Sequence, residues 1–324
     1  KMNIRRLEPD DPALDAADTM LTKAHGRGLG VWGAGPEGRT LVFGGFHGDD
    51  LAAVGILQDY RDPALHVGSQ LDLDRIRDIL EMKEVGLYQI ALLHAHEPLA
   101  TPQGAAEALI PAFEDFMKGR YERYCLFITL MKRANKLALP LYRRLGFKKS
   151  GQPSSLMSFD LKKLGRVIRR IQSLPNDLEP RFFDEATEKE LKGFADCYGR
   201  VFLDDDATDN GEVAAALERV TSMPDFSARV SLLLLDRHDK SVVGFMLADR
   251  PEPGRIHIGV AGLLPRVRGR RLPYRCLPPI AERAFELGIE RATFVTTQGR
   301  VARLTLRAFG AREVDQLGSY YKIG

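Results

Sequence analysis

The chain has 324 residues, 44% hydrophobic and 28% charged, with a formal net charge of +3 and a pI near 8.7. That is a globular composition of about two domains. The charge is too mild to point to nucleic acid, and no apolar run approaches the ~18 residues a membrane span needs. Cys125, Cys197 and Cys276 lie far apart and in odd number, which suggests neither a disulfide framework nor a zinc site. The start of the sequence lacks a signal-peptide pattern, so a cytoplasmic protein without a membrane partner is expected.

Residues 4–7 predict a strand, and the apolar spacing from Leu14 to Met20 predicts a helix after Asp10-Asp11. Runs 39–43 and 51–57 flank Gly44, Gly45, His47-Gly48 and Asp49-Asp50, a hairpin pattern. Leu73, Ile76, Ile79 and Leu80 mark an amphipathic helix over 69–84, and 87–93 is an apolar strand. Leu109, Phe113 and Phe116 predict a helix over 107–117, and 124–131 reads as a buried strand. A further helix over 135–145 is stopped by Gly146, with Arg143 and Arg144 in its last turn as the helix dipole favours.

Residues 162–180 form an expected linker between domains at 1–161 and 181–324. The order then repeats: helices over 188–202 and 212–222, a hairpin of 229–235 with 242–249, and a strand over 256–264. A helix over 274–287, kinked by Pro278-Pro279, a strand over 292–297 and a helix over 301–309 complete it. Gln103 and Gly146 lie 43 residues apart and Arg268 and Gly310 lie 42 apart, which supports an internal repeat. Gly55 and Gly244 are expected to match upstream. That leaves roughly 24 extra residues near 62–86 of the first copy as a candidate substrate lid.

The stretch 135–147 runs Asn-Lys-Leu-Ala-Leu-Pro-Leu-Tyr-Arg-Arg-Leu-Gly-Phe, and 299–311 is a weathered copy of it. The first stretch resembles the N…A…LY…LGF signature of the GNAT superfamily of N-acetyltransferases. Gln103-Gly104-Ala105-Ala106-Glu107-Ala108 resembles that family's Q/R-x-x-G-x-G/A loop for the CoA pyrophosphate, with Ala106 where glycine is usual. Such a loop works because a helix start offers unpaired N–H groups and small residues let phosphate approach. In the second half, Arg268-Gly269-Arg270-Arg271 begins the same loop, but Arg271 stands where glycine is expected and Pro273 where glycine or alanine is.

The resemblance implies an α/β fold of α+β mixed-sheet type, with two GNAT-like acyl-CoA N-acyltransferase domains in tandem. It also implies acetyl-CoA as co-substrate, no metal, and a small-molecule or peptide amine as acceptor. Gln103, Gly104, Ala105, Ala106, Ala108 and Asn135 would hold CoA in the first half, and Arg268, Gly269, Arg270 and Arg271 in the second. Tyr142 would protonate the leaving thiolate; otherwise it packs on its helix. His94, His96 and Glu97, just before the first loop, are candidates for the base, with purely structural roles as the alternative. The two histidines, two apart on a strand, share one face.

The second half has Leu306 and Gly299 in place of Tyr142 and Asn135, so either an acid there comes from Tyr320 or Tyr321 or that half does not catalyse. Only His257 sits on its matching strand. Asp10, Asp11, Glu81 and Glu84 suit a cationic acceptor or are solvated surface groups. Gly33–Gly38 spells G-x-G-x-x-G but precedes a strand, and 204–211 lacks the Glu of a calcium loop. Cys125 reads as a buried structural thiol. The rival readings are a non-catalytic acyl-CoA sensor and a GNAT-fold enzyme acting on another acyl-CoA.

Overall fold

Strands β1 (Asn3–Leu7), β2 (Thr40–His47), β3 (Asp50–Asp59), β4 (Val85–Ala95) and β5 (Arg123–Met131) follow one another in space as in sequence. They belong to a computed structural model that describes residues 2–26, 28–32, 40–59, 85–96, 102–132, 136, 138–163, 173–202, 214, 217–218, 221, 226–296, 307 and 310–324. The expected helix and lid over 62–86 fall almost wholly outside these residues. So do Gly33–Gly38, the acidic loop at 204–211, the helix over 301–309 apart from Arg307, and Glu81, Glu84, Glu97, Asn135, Gly299 and Leu306.

Helix α1 (Ala13–His25) buries Ala17, Met20 and Leu21, three and four residues apart, against Val54 and Ile56 of β3. Asp11 accepts the Ala13 N–H at 2.9 Å, and Gly26 at φ 70 closes the helix by donating to the Thr22 carbonyl. Asp11 is also ion-paired to Arg5, which holds its carboxyl below the usual carboxylate range. It thus serves the entry to α1. On the opposite face, α2 (Pro102–Arg120) buries Ala105, Ala106, Leu109, Ile110, Phe113 and Met117. Gly55 permits that approach, since a Cβ there would lie 2.5 Å from the Phe113 ring. Helix α3 (Leu139–Arg144) ends at Gly146, φ 90.

Beside β5 runs the chain's last strand, β12 (Arg312–Ile323), antiparallel from Leu317↔Met131 to Ile323↔Cys125. Gly324 and Tyr124 exchange both backbone hydrogen bonds at 3.1 Å, and Lys322 is ion-paired to Glu114. Tyr320 is buried in the same core as α2 and α3. The first compact unit therefore reaches to Pro153 and takes in Gln316–Gly324.

The second unit holds Ser154–Asp315. Its strands are β7 (Leu178–Phe182), β8 (Leu232–Asp236), β9 (Val242–Glu252), β10 (Arg255–Leu263) and β11 (Arg291–Thr296), and α4 (Glu188–Phe202) packs on β9 and β10. The pairings repeat those of the first unit: antiparallel up to β10, then parallel between β10 and β11. The place β12 takes beside β5 is filled beside β11 by residues 155–160 of β6 (Lys148–Asp160), antiparallel from Arg291↔Asp160 to Thr296↔Ser155. The strand that follows each parallel pair thus comes from the other half of the sequence. The units consequently differ from the 1–161 and 181–324 division at both ends.

Two further expectations change. The helix expected over 274–287 is two pieces, α5 (Leu272–Arg275) and α6 (Leu277–Glu286). Pro278-Pro279 open α6 instead of kinking it, because the first turn needs no N–H donors. Tyr320 and Tyr321 lie on β12, paired with Ile128 and Phe127, within the first unit.

Candidate active site

β4 and β5 pair in parallel from Val85↔Arg123 to Gln89↔Phe127, and there the pairing stops, although β4 runs on to Ala95 and β5 to Met131. Just beyond that point β3 pairs Leu57 with Ile90 but Ile56 with Leu92, leaving Ala91 as an extra residue. A bulge of this kind bends its strand and raises the local twist, which turns β4 away from β5. The second unit repeats the device. β10 and β11 pair from Arg255↔Arg291 to Ile258↔Phe294, and β9 pairs Ala248 with Ile258 but Leu247 with Val260, leaving Gly259 extra.

The two bulges align the halves residue by residue. Ala91 matches Gly259, so His94 corresponds to Gly262, His96 to Leu264 and Gln89 to His257. Gly244, paired with Leu263, matches Ala53, paired with Ala95; the expected pairing of Gly55 with Gly244 is two residues out of register. His257 lies before the bulge, with Nδ1 3.0 Å from Thr293 Oγ1 and its pKa lowered by burial. It is an interior residue of the closed part of the sheet.

Leu92, His94 and His96 point to the face covered by α1, whereas Leu93 and Ala95 point to the face covered by α2. His94 and His96 meet edge to face with ring centres 5.5 Å apart. His96 is exposed and His94 half-buried. Desolvation, then His25 and His96, lower the His94 pKa and keep its imidazole neutral. His25, in the last turn of α1, brings Nε2 to 3.2 Å from His94 Nδ1. Sequence reasoning missed His25, since nothing near it marks a partner 69 residues away.

Tyr142 lies on the other face, buried in the core that gathers Ile90 and Ala95 of β4, Leu126, Ile128 and Leu130 of β5, and Ala105 and Ala106 of α2. Its ring stands edge-on to Phe147 at 5.7 Å, and burial pushes its phenol up to about 12. Gln103, Gly104, Ala105, Ala106 and Ala108 all lie in the first two turns of α2. Ala105 and Ala106 face the core, so what they can offer a ligand is backbone.

In the second unit, 264–271 is an irregular loop. Residues Pro265–Val267 form one 3-10 turn, and Arg268 Nε donates to the Leu263 carbonyl at 3.0 Å. Arg270 forms a forked pair with Asp177 at 2.6 and 2.7 Å. Gly269 has φ 80 with open space where a Cβ would stand, and Arg271 has φ 56. Arg271 thus keeps a glycine-like backbone at a cost of about 1–2 kcal/mol. Arg271→Gly is expected to raise the second unit's stability by about 1 kcal/mol, and Arg271→Ala, which keeps the strain, is not. Paired thermal melts of the two variants check this.

Two units, each with a bulge-driven parting of its parallel strand pair followed by a helix, define a GNAT fold present twice. No protein-family model and no curated protein matches the chain. Among solved structures it is similar to a tandem GNAT protein from the clavulanic acid biosynthesis pathway (10% identity, 100% of this chain and 98% of that one, TM-score 0.67). It is also similar to a GCN5-related N-acetyltransferase from Sphaerobacter thermophilus (16% identity, 99% and 95% covered, TM-score 0.59). A GNAT-family acetyltransferase from Colwellia psychrerythraea gives 11% identity, 98% and 99% coverage and a TM-score of 0.56. At these identities the likeness establishes the fold, a tandem GNAT architecture over the whole chain. Among the described residues no helix is long and apolar enough to cross a membrane, and no group of three His, Cys, Asp or Glu is arranged to hold a metal ion.

Proposed function

We propose that the chain is an acetyl-CoA-dependent N-acetyltransferase whose chemistry lies in the first unit and whose acceptor is the amine of a small molecule or peptide. The observation that carries this reading is the parting of β4 from β5, with histidines on one face and a buried tyrosine on the other. Two substrates entering from opposite faces would meet at that gap, and aligning them supplies much of the rate.

The start of α2 suits the pyrophosphate of CoA. It is the positive end of a 19-residue helix, with Gln103 in its first turn. The amine nitrogen bonds to the thioester carbonyl carbon as the carbon–sulfur bond breaks. The ammonium proton goes to His94 or His96, and the thiolate takes the phenolic proton of Tyr142. A phenol near 12 is a weak acid against an ordinary thiol. Burial keeps that phenol protonated until the thiolate forms, and positioning beside the sulfur is what its role as an acid requires.

The second unit supports a different reading, acyl-CoA binding without catalysis. Gly262 and Leu264 replace the two histidines, while Gly269 and Arg271 keep the left-handed turns of a phosphate-approaching loop.

Calorimetric titration with acetyl-CoA tests the assignment: binding at one or two sites per chain is expected. No binding at millimolar ligand rejects an acetyl-CoA enzyme. If His94 is the base, its lowered pKa sets the acid limb of kcat. Protonation removes the base, so kcat is expected to fall on acidification with a midpoint below the ordinary 6.5. A limb at 6.5 or above that survives His94→Gln assigns it to another group.

A further inference from the structure

Three imidazoles from two elements meet on the α1 face of the first unit, and their geometry specifies more than a choice of base. His25 Nε2 lies 3.2 Å from His94 Nδ1, with the rings edge to face at 4.9 Å and 79°. His96 lies on the other side of His94, ring centres 5.5 Å apart. His94 Nε2 is buried and has no hydrogen-bond partner among the described residues. His25 is well fixed, because the left-handed Gly26 closes the last turn of α1 immediately after it.

One proton lies between His25 Nε2 and His94 Nδ1, and a neutral imidazole carries a single N–H. If His25 donates, His94 must carry its own proton on Nε2, and the unpartnered atom becomes a buried N–H. If His94 Nδ1 donates, the unpartnered atom is a lone pair. Buried N–H groups without partners are rarer in folded proteins than under-used acceptors. The second arrangement therefore wins. It also suits His25, whose Nδ1–H then sits on an exposed side chain. The charged or titratable groups that bear on His94 are His25 from α1 and His96 from its own strand, and burial keeps His94 neutral.

We propose that His25 is a positioning residue for His94: its Nε2 accepts the His94 Nδ1 proton and so holds the tautomer that leaves the buried Nε2 as an unprotonated lone pair. This rests on the acetyltransferase reading for its purpose but not for its geometry. A third group fixing the tautomer of a base is a recurrent arrangement in acyl-transfer sites, and here the fixing group comes from a helix remote in sequence.

The test is nitrogen NMR of the histidine-labelled full chain, which distinguishes a protonated from an unprotonated ring nitrogen. The wild type is expected to show His94 protonated at Nδ1. His25→Leu is expected to shift it toward the Nε2–H form or a mixture, and His25→Gln, whose amide oxygen accepts the same proton, to restore it. In acetyl transfer His25→Leu should lower kcat about tenfold with the KM for acetyl-CoA unchanged, and His25→Gln should recover most of the loss. His94 protonated at Nε2 in the wild type, or a tautomer indifferent to His25→Leu, overturns the proposal. A correct tautomer response in a chain that does not bind acetyl-CoA instead rejects the acetyltransferase reading and leaves the pair intact.

Discussion

Deletion of Gln316–Gly324 is expected to abolish the first unit's cooperative melting and its activity, while the second unit keeps its own transition. The removed segment pairs with β5 at seven consecutive positions, from Leu317↔Met131 to Ile323↔Cys125, and it carries the buried Tyr320 and the Lys322–Glu114 ion pair. Burying one large side chain contributes about 2–3 kcal/mol. Each ladder hydrogen bond lost adds on the order of 1 kcal/mol. Against a domain stability of about 5–15 kcal/mol, the sum is decisive. β5, apolar from Cys125 to Ile128, would then present a bare strand edge, which invites aggregation. Calorimetry on the full chain and the deletion reads this directly. Adding the nine-residue segment as a peptide should restore the first transition, since strand addition needs only the missing ladder. Tyr320→Ala gives a milder check, an expected loss of about 3 kcal/mol confined to the first unit. Unchanged melting in both variants would mean that β12 adds nothing to that core.

The exchange of strands explains which features of this chain were legible beforehand. Local signals transferred well. Gly48 at φ 63 turns the β2–β3 hairpin, and Gly146 at φ 90 stands where the helix before it was expected to stop. The two-residue period of His94 and His96 placed them on one face. Partner choice did not transfer. β6 and β12 each make an antiparallel neighbour to the parallel pair, and nothing in either strand states that β12 pairs with β5 and β6 with β11. That is why Tyr320 and Tyr321, which the sequence places in the second half, lie in the first unit. The two-residue error between Gly55 and Gly244 has a related cause, since both lie in hairpins but only the bulges at Ala91 and Gly259 define the register. Gly259 was a readable hint, because a glycine inside a strand often marks a bulge. His25 offered none, as its meaning depends on where α1 ends above β4.

Tyr142→Phe is expected to lower kcat at least tenfold and to leave the affinity for acetyl-CoA and the melting temperature nearly unchanged. The contrast matters because the structure supports two roles for this residue. As a core aromatic it is buried among Ala105, Ala138 and Leu141 and stands edge-on to Phe147, contacts that a phenyl ring preserves. As an acid it contributes only its hydroxyl, protonated at any physiological pH because burial pushes it up to about 12. The substitution therefore separates the roles cleanly, with stability reporting the ring and turnover the proton. A sharper form varies the donor. An acetyl thioester of a more acidic thiol needs less protonation as it leaves, so the deficit of Tyr142→Phe should shrink toward unity along such a series. A deficit that stays constant would place Tyr142 in substrate alignment, and equal turnover with acetyl-CoA would remove it from the chemistry and leave it as packing for the start of α2.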